Sequence, residues 1–106
     1  MPPRLIDVLP QLVAELERLL TEEGESALSA QVGELNIVDR CRCGDDFCAT
    51  FYTEPRPKGR YGSGHRNIPL EPAKGMLILD VVGSRIACVV VLYRDEIRKA
   101  LHTVLS

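Results

Sequence analysis

The chain has 106 residues, 45% hydrophobic and 26% charged, with 13 Lys and Arg against 15 Asp and Glu for a net charge of −2. That length suits one domain, residues 1–106, which buries its own core, and the composition excludes disorder as the main state. A charge so near balance gives no global drive toward nucleic acid or a membrane, so neither is an expected partner.

The opening MPPRLIDVLP is interrupted by Arg4, Asp7 and Pro10 and does not read as a signal peptide. The longest apolar run, Ile86 to Tyr93, falls far short of the roughly 20 residues that span a bilayer. The expected address is therefore cytoplasmic, where thiols stay reduced and a close cysteine group points to metal or catalytic chemistry before structural disulfides.

Leu5, Leu9, Leu12, Leu16, Leu19 and Leu20 recur at helical spacing and predict an amphipathic helix ending near Glu23, with Gly24 as its stop. Asp7 is the expected cap and Pro10 falls in the first turn, where its missing N–H costs nothing; Arg4 to Leu9 could add a preceding turn. Ser26 to Val32 reads as a short helix or a connector. From Leu35 the period changes. Leu35 to Cys43 and Phe47 to Glu54 read as two strands joined at Gly44-Asp45-Asp46.

Prolines and glycines punctuate Glu54 to Arg66 too densely for regular structure, and His65 to Leu70 is a candidate edge strand. Met76 to Val82 and Arg85 to Tyr93, separated by Gly83-Ser84, form the strongest hairpin signal. The second of these runs is apolar on both faces, which predicts a central strand or one with an interface face, through which a homodimer could form. Asp95 is placed to cap a last helix carrying Ile97, Leu101, Val104 and Leu105 on one side. The expected fold is α+β: an antiparallel β-meander of four to five strands with an N-terminal amphipathic helix and a C-terminal helix.

Three of the four cysteines, Cys41, Cys43 and Cys48, crowd into RCRCGDDFCATFYT. On a strand Cys41 and Cys43 share a face, and a turn over Gly44 to Phe47 brings Cys48 opposite Cys43. A zinc ion wants four tetrahedral ligands; the fourth could be His65, Cys88 or an acidic group, and His65 is the one assigned here. The C-x-C-x4-C spacing departs from the usual C-x2-C knuckle. Two other readings of the same residues stand beside zinc: a reversible Cys43–Cys48 disulfide in a thiol redox or sensor domain, and plain packing of small apolar side chains. Cys88, between Ala87 and Val89, reads as core. No nucleophile motif or acid/base pair surrounds the thiols, so an enzyme is not expected.

Charge is split along the chain. The loop from Glu54 to Arg66 carries Arg56, Lys58, Arg60 and Arg66, interleaved with Tyr61 and glycines, a composition suited to holding an acidic partner surface. The first helix carries Glu15, Glu22 and Glu23 on its polar side, suited to a basic partner. Both faces are candidate partner-binding surfaces, and both also read as solvated charge.

RCRCGDDFCATFYT, then YGSGHRNIPL, then GMLILDVVGSRIACVVVL, together resemble a group of small, mostly uncharacterised bacterial proteins that share a C-x-C-G-x3-C-x-T-F-Y-T segment, a G-x-G-x-R turn and a terminal LDV hairpin. The likeness covers residues 35 to 93. Small α+β proteins of this sort include immunity proteins, so the resemblance implies a non-enzymatic protein-binding module that occludes a secreted toxin. Where such proteins often carry an acidic residue after the hairpin turn, this chain has Val89, Val90 and Val91, which favours an apolar contact on that strand.

Overall fold

A computed structural model describes residues 2–56, 59 and 61–105. Helix α1 (Leu5–Val8) is a single turn, and α2 (Pro10–Glu22) follows after Leu9. Pro10 opens α2, where its ring cannot cost a hydrogen bond. Asp7 does not cap: it lies inside α1, and Leu9 occupies the cap position of α2 without a side-chain bond. The preceding turn therefore exists as a helix of its own. Leu12, Val13, Leu16, Leu19 and Leu20 form the buried stripe of α2 at three- and four-residue spacing. Gly24, at φ +77°, ends it. Helix α3 (Ser26–Ser29) and a 3-10 turn (Val32–Glu34) then lead into the sheet.

Five strands make one antiparallel sheet in the order β1-β2-β5-β4-β3: β1 (Asp39–Arg40), β2 (Phe51–Tyr52), β3 (His65–Leu70), β4 (Met76–Val82) and β5 (Arg85–Leu92). Helix α4 (Asp95–Val104) closes the chain, with Arg94 rather than Asp95 at its cap position. The α+β architecture expected from the sequence is present. The meander is local, running through β3, β4 and β5, while the first hairpin docks on β5. The link from β2 to β3 must therefore cross three strand spacings, about 14 Å at ~4.8 Å each, which is why it is long. The two early strands are much shorter than expected, two residues each, because the cysteine stretch leaves the ladder.

Register decides the two faces. Phe51, Ile68, Leu70, Leu77, Leu79, Val81, Val89 and Val91 face α2 and α4 and share one buried cluster with Leu16, Leu20, Ile97 and Leu101. Each such side chain contributes about 1.5–3 kcal/mol on burial. The alternate residues, Tyr52, Asn67, Ile78, Asp80, Cys88 and Val90, lie on the helix-free face. A bulge at Ala87, between the Val81↔Ile86 and Asp80↔Cys88 pairs, lets Ile86, Ala87 and Cys88 all be buried. The bulged Ala87 carbonyl accepts the Thr53 and Glu54 amides at 3.0 and 3.3 Å, and Thr53 Oγ1 donates to Ile86 O at 2.7 Å. β5 is thus central, as its apolar run implied, and both its edges are paired. Any second copy could meet it only on the helix-free face, where Val90 and Leu92 are half-buried.

Gly83, at φ +63°, supplies the left-handed turn between β4 and β5. Gly75 has a stricter reason to be glycine: at φ +71°, an added Cβ would lie 2.6 Å from Leu92 O. Among the described residues no helix is long and apolar enough to cross a membrane.

Candidate metal centre

The cysteine stretch is an irregular loop pinned on both sides. Cys41 N–H donates to Thr50 O at 2.8 Å, extending the β1–β2 register by which Asp39 faces Tyr52 and Arg40 faces Phe51. Continued, that register sets Cys43 opposite Cys48. On the other flank Ala49 N–H donates to Val91 O at 2.8 Å, Cys48 bridges Leu92, and Tyr93 N–H donates to Phe47 O at 2.8 Å. The turn itself is closed by Cys48 N–H on Asp45 O at 3.2 Å. Outside the turn, Phe47 stacks on Tyr93 with ring centroids 5.4 Å apart. Tyr93 holds the left-handed backbone (φ +63°) while 60% exposed, a conformation that a non-glycine residue keeps only when its surroundings hold it.

These restraints bring the sulfurs of Cys41, Cys43 and Cys48 within 4.8 Å of one another. All the cysteines are free thiols; Cys43 is exposed, and Cys41 and Cys48 are half-buried. The cluster does not share its charge evenly. Burial opposes the Cys48 thiolate, but hydrogen bonds from the Thr50 hydroxyl and amide and from the Cys43 and Cys41 thiols outweigh it, and Cys48 is held below the usual thiol range. Thr50 Oγ1 is itself fixed by the Val91 amide at 3.2 Å. For Cys43 the Asp45 amide favours the thiolate. Hydrogen bonds with Cys41 and Cys48, some desolvation and the neighbouring Cys41 charge prevail over it, and the thiol is pushed up to about 11. One sulfur thus carries negative charge most readily while its neighbours donate to it.

The expected fourth ligand is elsewhere. His65 Nε2 lies 2.8 Å from Asp80 Oδ1, its ring packs on Tyr61 with centroids 4.6 Å apart, and it does not belong to the thiol group. Asp80 also accepts from Asn67 Nδ2 and interacts with the Cys88 thiol, whose pKa is raised to about 12 by burial first and then by the Asp80 charge. This polar set, Tyr61, His65, Asn67, Asp80 and Cys88, occupies the helix-free face. Its signal in the sequence is a lone acid in the apolar run MLILDVV, two residues from the strand's end. Cys88 is core, as read: 2% exposed.

The charged residues assigned to partner binding are mostly engaged within the chain. Glu15 holds Arg94 through two hydrogen bonds of 2.9 and 3.1 Å, Glu22 pairs with Arg18 at 3.0 Å, and Glu23 is exposed at the end of α2. Arg66 meets Glu25 at 3.2 Å, so the basic loop and the acidic helix end are joined to each other. Arg56 sits over the Tyr52 ring, 4.9 Å from its centroid. Lys58 and Arg60 lie outside the described residues.

Comparison of the chain with protein-family models, with curated proteins and with solved structures gives no match.

Proposed function

We propose that this protein is a small metal-binding module that holds a thiophilic ion, zinc foremost, on Cys41, Cys43 and Cys48. The observation that carries this reading is the mutual approach of the three sulfurs to within 4.8 Å. Tetrahedral zinc with Zn–S of about 2.3 Å sets its sulfurs ~3.8 Å apart, so the loop needs to contract by no more than ~1 Å. Thiolate ligands select zinc or other soft ions over magnesium or calcium. Cys48, already disposed to ionise, supplies the first thiolate, and the ion displaces the remaining protons. With His65 committed to Asp80, the fourth position belongs to solvent or to a donor from outside the cluster. The test is zinc stoichiometry on the fully reduced protein, read against a chromophoric competitor. One tightly held ion supports the reading; no competition with the indicator removes it.

A second reading, a protein-binding module of the immunity type, draws on the exposed aromatic pair beside the thiols. Phe47 is 44% and Tyr93 60% exposed, and aromatic side chains presented in this way are enriched at the anchors of interfaces. Replacing both with serine should abolish capture of a partner protein. A partner bound equally by the variant would set this reading aside.

A further inference from the structure

Zinc and a disulfide draw on the same sulfurs, and the register of the loop picks out one pair able to bridge. Cys41 and Cys43 stand two apart and share a face, so where the chain is extended their Cβ atoms stay about 6.6 Å apart. Cys41 N–H donates to Thr50 O, which makes Cys41 and Cys48 diagonal neighbours at about 7 Å. Cys43 and Cys48 face each other across the turn, with Cβ atoms about 4.5–5.5 Å apart. A disulfide spans about 3.5–4.5 Å between Cβ atoms, so only the last pair comes close to it.

The loop leaves room for that bond. All three sulfurs already lie within 4.8 Å of one another, so closing Cys43 onto Cys48 takes side-chain rotation and a backbone shift of roughly 1 Å. Gly44, at φ +83°, has open space around it. Cys43 is exposed and meets dissolved oxidants. Cys88, the remaining thiol, is 2% exposed and lies outside the group, so it does not compete. Once Cys43 and Cys48 are joined, Cys41 is the one thiolate left in the cluster. A disulfide sulfur is a poor ligand, because the thiolate is the form that binds metal.

We propose, resting on the metal-binding reading, that the cluster is a redox-gated site: a hydroperoxide converts Cys43 and Cys48 to a disulfide, and the ion is released. Zinc has no redox chemistry of its own, so both electrons come from sulfur. The Cys43 thiolate attacks the terminal oxygen of the hydroperoxide; an S–O bond forms, the O–O bond breaks and alkoxide leaves. The Cys48 thiolate then attacks the Cys43 sulfur; the S–S bond forms, the S–O bond breaks and hydroxide leaves. Alkoxide and hydroxide each take a proton from solvent. Two sulfurs are oxidised, one peroxide bond is reduced, and the divalent ion passes to solvent. A dithiol opens the bond by exchange and restores the ligands.

The test uses the full chain, reduced and loaded with one equivalent of zinc, then treated with tert-butyl hydroperoxide beside a chromophoric zinc indicator. Trypsin cuts after Arg40 and Arg42, so it separates Cys41 from a peptide that holds both Cys43 and Cys48. One zinc ion should appear for each peroxide consumed, in step with the loss of two hydrogens from that peptide, while Cys41 still takes an alkylating agent. Dithiothreitol should return the zinc to the protein. Cys88→Ser should respond as the unaltered chain does, and Cys41→Ser, oxidised without zinc, should still join Cys43 to Cys48. Zinc held through complete peroxide treatment overturns the gating. So does zinc freed without the Cys43–Cys48 bond, whether through sulfinic acids, a bond to Cys41 or links between chains. Reduced protein that binds no zinc overturns the metal reading itself, and the gating with it.

Discussion

Glu15 offers a direct way to separate a structural charge from a partner-binding one. Its carboxylate grips Arg94 at 2.9 and 3.1 Å, with the two side chains only 18% and 12% exposed, and so ties α2 to the start of α4. Glu15→Gln conserves volume and removes the charge. Each charge-assisted bond is worth about 1.5–3 kcal/mol. Arg94 keeps Glu96 at 2.7 Å and Lys74 O at 3.3 Å, and the glutamine carbonyl can still accept one bond. The loss should then amount to one such bond, about 2 kcal/mol, or a fall of ~10 °C in Tm at this chain length. Urea and thermal unfolding of Glu15→Gln, Arg94→Met and the double variant complete a cycle, and a coupling of about 1–2 kcal/mol is expected. An exposed ion pair would yield 0.2–1 kcal/mol, eroded by salt. A loss below about 0.5 kcal/mol with no coupling would refute the claim that Glu15 is committed to the fold.

Other outcomes follow from the same geometry. Alkylation by iodoacetamide between pH 7 and 8, mapped by mass spectrometry, should label Cys48 before Cys43, because Cys48 is held below the usual thiol range and Cys43 is pushed up to about 11; raising the pH should narrow the gap. Cys88, 2% exposed and raised to about 12, should react only after unfolding. Asp80→Ala strips the acceptor from His65 and Asn67 on the helix-free face and should cost about 2–3 kcal/mol in denaturant unfolding, where a change under 0.5 would mean the cluster is idle. Gly75→Ala drives a Cβ to 2.6 Å from Leu92 O at a positive φ and should lower the free energy of unfolding by more than about 1 kcal/mol, whereas the open Gly24→Ala should suffer only its backbone cost.

How far the sequence foretold this structure depends on the range of the forces involved. The α2 stripe and the β4–β5 hairpin are written locally, in periodicity and in Gly83-Ser84, and both appear within a residue or two of expectation. The register setting Cys43 opposite Cys48 was also legible, because alternation and a short turn fix it. The lengths of β1 and β2 were not, since Ile37 ahead of β1 bonds Pro3 O, and Ala49, Thr53 and Glu54 around β2 bond Val91 and Ala87 of β5, partners distant in sequence. For the same reason His65 looked like a free ligand. Its attachment to Asp80 arises only when β3 pairs with β4. The bond from Arg40 to Leu105 O was hidden too, because it joins the edge strand β1 to the end of the final helix across 65 positions.

The thiol cluster is tested most directly by cobalt substitution. One equivalent of Co(II) added to the reduced protein should give a thiolate charge-transfer band in the near ultraviolet. Its intensity should fall by about a third in each of Cys41→Ser, Cys43→Ser and Cys48→Ser, and remain unchanged in Cys88→Ser and His65→Gln. Absence of the band, or a band indifferent to those three substitutions, would contradict a metal centre built on Cys41, Cys43 and Cys48.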